Sequence, residues 1–217
     1  MRFLFWGILF LGYTSALYSM QETYTFLKTC YQKPGQMGAV FPTSSYAMQQ
    51  LVKHVSPGVF CLEIGSGTGN VTEQIANKLA DTGFVDAVEI DTELCVLAQK
   101  RIDQTCVRIQ NCSILEWKPQ YQYDVVVCTL PFNVCSSGFV KSVLDHVIPF
   151  IKPGGHFMYI EYLWLADIKQ IFLFGQDRID FITMRALLAQ FRNQYKTSWT
   201  DVYANIPPVR VYDIEVM

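Results

Sequence analysis

Leu62-Glu63-Ile64-Gly65-Ser66-Gly67-Thr68-Gly69 is the stretch that decides how this chain folds. An apolar run, Val59-Phe60-Cys61-Leu62, leads into an acid and then three glycines at alternate positions. After Gly69, Asn70 and Thr72 open a helical pattern that continues through Val71, Ile75 and Leu79. The spacing predicts a strand, a tight turn and a helix start. Glycine in such a turn lets a bound molecule lie against bare backbone. The next apolar strand, Val85-Asp86-Ala87-Val88-Glu89-Ile90-Asp91, brings Glu89 22 residues past Gly67. A carboxylate closing an apolar strand is costly unless it is hydrogen-bonded, which points to a hydroxyl partner for Glu89. The plainer alternative is that Glu89 or Asp91 caps the helix of Leu94, Leu97 and Ile102, a part that suits Asp91.

Outward from this unit, strands and helices alternate. Pro42-Thr43-Ser44-Ser45 starts a helix with Met48, Leu51, Val52 and Val55 at helical spacing. Predicted strands cover 84–90, 107–110 and 124–128, with helices over 92–103 and 138–150. Lys152-Pro153-Gly154-Gly155 reads as a turn before a strand from His156 to Tyr162. Such alternation predicts a parallel sheet with helices on both faces. Ligands of such sheets bind at the carboxyl ends of the strands, where the glycine turn, Glu89, Cys112-Ser113 and Thr129-Leu130 would lie. Asp177 is expected to cap a helix reaching about Tyr195, along which Arg178, Arg185 and Arg192 form one stripe. That helix reads either as an ordinary surface helix or as one lying on anionic lipid, with the apolar knot Ile171–Phe174 dipping into the bilayer.

The 217 residues suit one domain with a sizeable core. The chain is 51% hydrophobic and carries a net charge of −2, so it lacks the basic footprint usual for a nucleic-acid enzyme. Seven cysteines without a C-x-x-C pair read as reduced thiols. Three histidines, His54, His146 and His156, lie far apart in sequence, and no metal site is expected.

The pattern E-x-G-x-G-x-G over Glu63–Gly69 resembles the cofactor loop of S-adenosylmethionine (SAM)-dependent methyltransferases. The dinucleotide fingerprint would instead need a glycine at position 70, which is Asn. The resemblance implies a Rossmann-like class I methyltransferase fold with a mostly parallel seven-stranded α/β sheet. It implies SAM as cofactor, held by Glu63, Gly65, Ser66, Gly67, Thr68, Gly69, Glu89, Ile90, Cys112, Ser113 and Thr129. The adenine contact would fall to the Ser113 backbone, because Asn111-Cys112-Ser113 offers no acid there. The methyltransferase domain is expected over 22–217. Residues 1–21 form a separate hydrophobic segment, nearly free of charge after Arg2. It reads as a signal-like stretch, a membrane anchor or an untranslated extension ahead of Met20. A cytosolic cofactor favours the latter two.

Three further segments narrow the resemblance: Pro34–Ser45, Leu130-Pro131-Phe132-Asn133 and Asn205–Tyr212. With Ile151–Gly155 they resemble the bacterial phospholipid N-methyltransferases, which use SAM to methylate phosphatidylethanolamine at a membrane surface. Val209 stands where that family usually has alanine. The resemblance implies a phospholipid substrate and a place on the cytoplasmic face of the membrane. A protonated head-group amine must lose a proton before it attacks. Carbonyls at Thr129 and Leu130 would hold the amine, with Tyr46 beside it. Tyr46, Phe132 or Tyr162 could face a methylated ammonium, Asn133 would line the same place, and Arg210 or the arginine stripe could pair with phosphate. No residue stands out as a general base. Two alternatives stay open: a ribosomal-RNA or other nucleic-acid adenine N6-methyltransferase, whose N-L-P-Y motif Thr129–Phe132 approaches without the asparagine, and a non-catalytic SAM-fold binding module.

Overall fold

The computed structural model describes residues 43–80, 82–132, 135–163 and 173–217. The hydrophobic segment 1–21, most of the 34–45 motif, Asn133, and Ile171 and Phe172 of the apolar knot lie outside the described residues. Within them no helix is long and apolar enough to cross a membrane.

The chain runs α1 (Ser45–Leu51), β1 (Phe60–Ile64), α2 (Asn70–Leu79), β2 (Phe84–Glu89), α3 (Thr92–Arg101), β3 (Val107–Asn111) and β4 (Tyr123–Cys128). It continues with α4 (Ser137–Val147), β5 (Ile151–Tyr162), α5 (Gly175–Asn193), β6 (Lys196–Val202) and β7 (Val209–Glu215). The seven strands form one sheet in the order β3-β2-β1-β4-β5-β7-β6. Pairings from β3 through β5 are parallel, and β7 is antiparallel to both β5 and β6. This is the expected α/β class.

Local chemistry explains the element starts. The Ser44 hydroxyl caps α1 by accepting from Ala47 N, and Asp91 caps α3 by accepting from Leu94 N, as expected for it. Ser136 does the same for α4. Asp177 falls in the first turn of α5, where Phe174 is the capping position, so the acid complements the helix dipole instead of closing its end. One apolar face of the sheet packs α4 and α5 through Val140, Leu144, Phe181, Met184 and Leu188. The other packs α1 and α2 through Leu51, Val52, Ile75 and Leu79.

The predicted turn at 152–155 is instead part of β5, which spans Ile151–Tyr162 with a register shift against β4. Gly154 N donates to Val216 O and Val216 N to Gly155 O. A Cβ on Gly155 would stand 2.8 Å from the Asp124 carbonyl oxygen, so glycine here permits close strand approach.

The amino end of the parallel strands carries a polar knot. Asp213 of β7 accepts from Lys53 Nζ and His54 Nε2 through one oxygen and from His156 Nδ1 through the other, each at 2.8 Å. The two imidazoles stack with centroids 3.5 Å apart and planes 12° from parallel. Histidines distant in sequence are thus adjacent in space, and with Asp213 they have metal-ligand spacing. Stacked rings aim their in-plane lone pairs side by side instead of at a common point. Lys53 also holds the carboxylate, so the geometry is that of a hydrogen-bonded acid. Burial opposes the Asp213 charge, but the bonds from Lys53, His54 and His156 outweigh it and hold the carboxyl well below the usual range.

Candidate SAM site

The glycine turn leaves β1 at the carboxyl edge of the sheet. Gly65, Gly67 and Gly69 all have positive φ (80°, 56° and 84°), which side chains rarely tolerate. At Gly65 a Cβ would also meet Leu130 Cδ2 at 2.8 Å and Thr129 Oγ1 at 3.2 Å. At Gly67 a Cβ would meet nothing within 4 Å among the described residues, so this part of the turn is open to a ligand with respect to them. The turn is tied to its neighbours before any ligand arrives. Gly65 N donates to Val88 O at 2.8 Å and Gly69 N to Ser66 O at 3.0 Å.

Glu89 ends β2 beside that turn. One carboxylate oxygen accepts from Gly67 N and the other from Asp91 N, both at 2.9 Å. An ionised carboxylate has about four acceptor positions. Two serve the backbone, which leaves capacity for a sugar diol. Ile90, next in the chain, is mostly exposed and forms an apolar shelf beside Glu89. Asn111, at the end of β3, was not singled out as a positioning residue by the sequence. Its amide donates to the carbonyls of Glu89 and Ile90 at 3.1 Å each, and its Oδ1 accepts from Thr92. An amide closing a strand two positions before the expected adenine contact was the available signal. Ser113 uses its hydroxyl on Leu115 N and its carbonyl on Glu116 N and Trp117 N, forming the turn after β3. Cys112 is half-buried beside it, and burial pushes its thiol up.

Glu63 lies beneath the turn, fully buried, with neither carboxyl oxygen in hydrogen-bonding geometry to a neighbour among the described residues. The Ser66 hydroxyl is buried and unpartnered as well. Burial pushes the Glu63 pKa up to about 8, against the pull of the nearby Thr72 hydroxyl and with the push of the Glu89 charge. An acid so buried and unpartnered, under a glycine turn open in this way, suits a cationic ligand. SAM carries a sulfonium, an ammonium and a ribose diol, and the residues present fit it. Glu63 and Ser66 would underlie the cationic portion, Gly67 would lie against the ligand, and Glu89 would hold the ribose. Affinity for SAM should therefore rise from pH 6 to about 8 as Glu63 ionises, then level off. Calorimetry across that range checks this, and Glu63→Gln should flatten the curve. A wild-type affinity independent of pH would remove Glu63 from the cation's surroundings.

The expected catalytic and substrate residues are placed less uniformly. The Thr129 hydroxyl donates to the carbonyls of Ile64 and Gly65, fastening the end of β4 to the glycine turn. Leu130 lies against Gly65. Tyr46 stands 63% exposed at the start of α1. Tyr162 is half-buried and packs on the α1 side of the sheet. Phe132, expected at the substrate, is fully buried against the rings of Phe157 and Tyr159. Burial repays a phenyl group more than an exposed rim does, so its place is the core. Arg210, expected on a phosphate, makes a two-pronged pair with Asp201 at 2.6 and 2.8 Å and lies over the Trp199 ring.

Residues 61–155 match the family described as methyltransferase domain. A tRNA1(Val) (adenine(37)-N6)-methyltransferase of Escherichia coli is 30% identical over 78 residues, covering 33% of this chain and 32% of that protein. The chain thus spans about a third of the length of the curated relatives it matches. Among solved structures, a precorrin-6y C5,15-methyltransferase from Geobacter metallireducens superposes with a TM-score of 0.60 at 12% identity, covering 82% of this chain and 92% of that one. The N-methyltransferase NodS from Bradyrhizobium japonicum, in complex with S-adenosyl-L-homocysteine, gives 0.58 at 14% identity, covering 90% and 98%. Residues 61–155 thus match a methyltransferase domain, and the seven-stranded sheet with its glycine turn is the fold of SAM-dependent methyltransferases.

Proposed function

We propose that the chain is a SAM-dependent N-methyltransferase acting on the head-group amine of a phospholipid, at the cytoplasmic face of a membrane. The observation that carries this reading is the rim around the SAM site. Ser44 N donates to Asn205 Oδ1 at 2.7 Å, and Asn205 Nδ2 donates to Pro207 O at 2.7 Å. Leu163 N, just past β5, donates to Pro208 O at 2.8 Å. Two motifs that carry the phospholipid N-methyltransferase resemblance, 161 residues apart, therefore meet at the carboxyl edge. Tyr46 stands exposed beside them, and Ile206 is 83% exposed. Phe174, 76% exposed, opens α5, whose Asp180 accepts from Ser137 N at the start of α4, again on this edge. A rim of bulky apolar side chains suits a substrate that arrives with acyl chains.

SAM supplies a methyl group already activated by its sulfonium. The protein's part is to orient a neutral amine against it and keep water out. Carbonyls at Thr129 and Leu130, held in place by the Thr129 bonds to the glycine turn, would receive the amine's N–H groups.

A second reading, adenine in RNA, is favoured by the activity of the curated tRNA relatives. Their match covers a third of each chain. The buried Phe132 gives no stacking face for a base, and the net charge is −2. Expression in a host lacking phosphatidylcholine, followed by mass spectrometry of lipids and of tRNA, separates the two. Mono-, di- or trimethylated ethanolamine lipids are expected. Unchanged lipids with newly methylated adenine would establish the second reading in place of the first.

A further inference from the structure

A charged and aromatic cluster lies just below the rim, on the face of the sheet that packs α4 and α5. Glu161 of β5 pairs across the sheet with Arg210 of β7, and Arg210 with Asp201 of β6. One level down, Tyr159, Tyr212 and Trp199 stand in the same relation. Directly opposed residues of antiparallel strands project to the same face. The Tyr159 and Tyr212 rings stack at 4.9 Å. Arg192 of α5 reaches into this cluster. Its Nη1 donates to Glu161 Oε1 and to the Tyr159 hydroxyl, both at 2.8 Å, and its guanidinium lies 4.6 Å from the Tyr212 ring centre. A carboxylate flanked by aromatic faces and filled by a cation is the environment an ammonium group would seek.

The cluster borders the reacting centre. Cys128, the last residue of β4, pairs with Tyr159, so Glu161 stands two residues beyond that pair on β5, as Leu130 does in the loop that follows β4. Leu130 packs against the apolar cluster that contains Tyr159 and Tyr212, and it abuts Gly65 of the glycine turn. Leu130 thus touches the SAM turn and packs on the same apolar cluster to which Tyr159 and Tyr212 belong.

We propose that Glu161 is the proton acceptor for the substrate ammonium, and that Arg192 exchanges Glu161 for the adjoining phosphodiester when the head group enters. The proposal rests on the phospholipid reading above. An ethanolamine phosphodiester carries one positive and one negative charge, as the Glu161–Arg192 pair does. Exchanging partners therefore leaves no buried charge unpaired, which is what makes opening such a pair tolerable. In the step itself the proton leaves the R–NH3+ nitrogen for the Glu161 carboxylate, giving R–NH2 and a neutral carboxyl group. The freed lone pair accepts the methyl carbon as its bond to sulfur breaks, and Glu161 returns its proton to water. Burial raises the Glu161 pKa, with Arg192, Tyr159 and Arg185 offsetting part of the rise. Among the described residues, Tyr212 and Arg210 from β7, and Asp201 behind Arg210, complete the charged and titratable surroundings.

The test uses the full chain with SAM and vesicles containing phosphatidylethanolamine, followed from pH 6 to 9, beside Glu161→Gln and Tyr159→Phe. Glu161→Gln should lose about 10²–10⁴-fold in kcat at neutral pH, with affinity for SAM unchanged and Tm lowered, because Arg192 loses its charged partner. Its rate should then climb about tenfold per pH unit as solvent takes over deprotonation. Binding of glycerophosphoethanolamine to the cofactor-free chain should weaken in the same variant. Tyr159→Phe removes a bond that lowers the Glu161 pKa, so the acid limb of its pH profile should move to higher pH, and this holds even if Glu161→Gln fails to fold. A Glu161→Gln enzyme with the wild-type pH profile and a rate within about threefold of wild type overturns the proposal, as does an unmoved limb in Tyr159→Phe. A wild-type chain that methylates no aminophospholipid overturns the substrate reading first, and the assignment of Glu161 with it.

Discussion

Glu89→Ala should bind SAM roughly 100- to 1,000-fold more weakly than the wild type in a calorimetric titration, while remaining folded. Two contributions add. Hydrogen bonds from a ribose diol to an ionised carboxylate are each worth about 1.5–3 kcal/mol. The same carboxylate also shapes the turn, accepting from Gly67 N on one side and Asp91 N on the other. Without it those N–H groups lose their partner, and the bend around Gly67 loses its brace. Glu89→Gln is the informative companion. Its single amide oxygen can still accept one backbone bond, so it should recover part of the turn but little of the ribose affinity. Equal affinity in wild type and Glu89→Ala would mean that the sugar lies elsewhere.

Asp213→Asn should lower stability by about 3 kcal/mol at pH 7, the usual cost of removing one partner from a buried charged cluster. For a chain of this size that corresponds to roughly 6–12 °C in Tm by scanning calorimetry. The carboxylate ties Lys53 and His54, just past α1, to His156 of β5, so its loss loosens α1 from the sheet. The sign with pH follows from the lowered pKa of Asp213. Its contribution is present above the ordinary carboxylate range and is lost as pH falls through the folded-state value. The wild type should thus hold most of this stabilisation down to mildly acidic pH, and the gap between it and Asp213→Asn should close only in strong acid. A gap that stays constant from pH 7 to pH 2 would show that the charge contributes nothing.

The cofactor half of the molecule was legible in the sequence because its requirements are local. Three glycines at positive φ, an acid ending the next strand and Asp91 capping α3 each leave a mark within a few residues of where they act. The other half depends on partners chosen by the tertiary fold. Nothing in the sequence places His54 against His156, since a diagonal across β5 and β7 and a turn after α1 bring them together. Arg210 looked available for a phosphate, yet the β6–β7 register puts Asp201 directly opposite it. Phe132 followed a motif that often faces substrate, and here two neighbouring rings draw it into the core. The Lys152–Gly155 segment carried every mark of a turn, but the residues after β7 supply backbone partners that keep it in the sheet. Glu161 carries no signal in the sequence, because an acid near a strand end has no special meaning until Arg192, 31 residues later, is brought beside it.

The placement of β7 between β5 and β6 bears on how the chain assembles. On the ribosome, β6 emerges before β7 and cannot join the sheet until residues 209–215 follow it out. For that interval β5 presents an unpaired margin, the kind of template that recruits strands from other molecules. Any delay in docking residues 209–215 would therefore favour intermolecular pairing at β5.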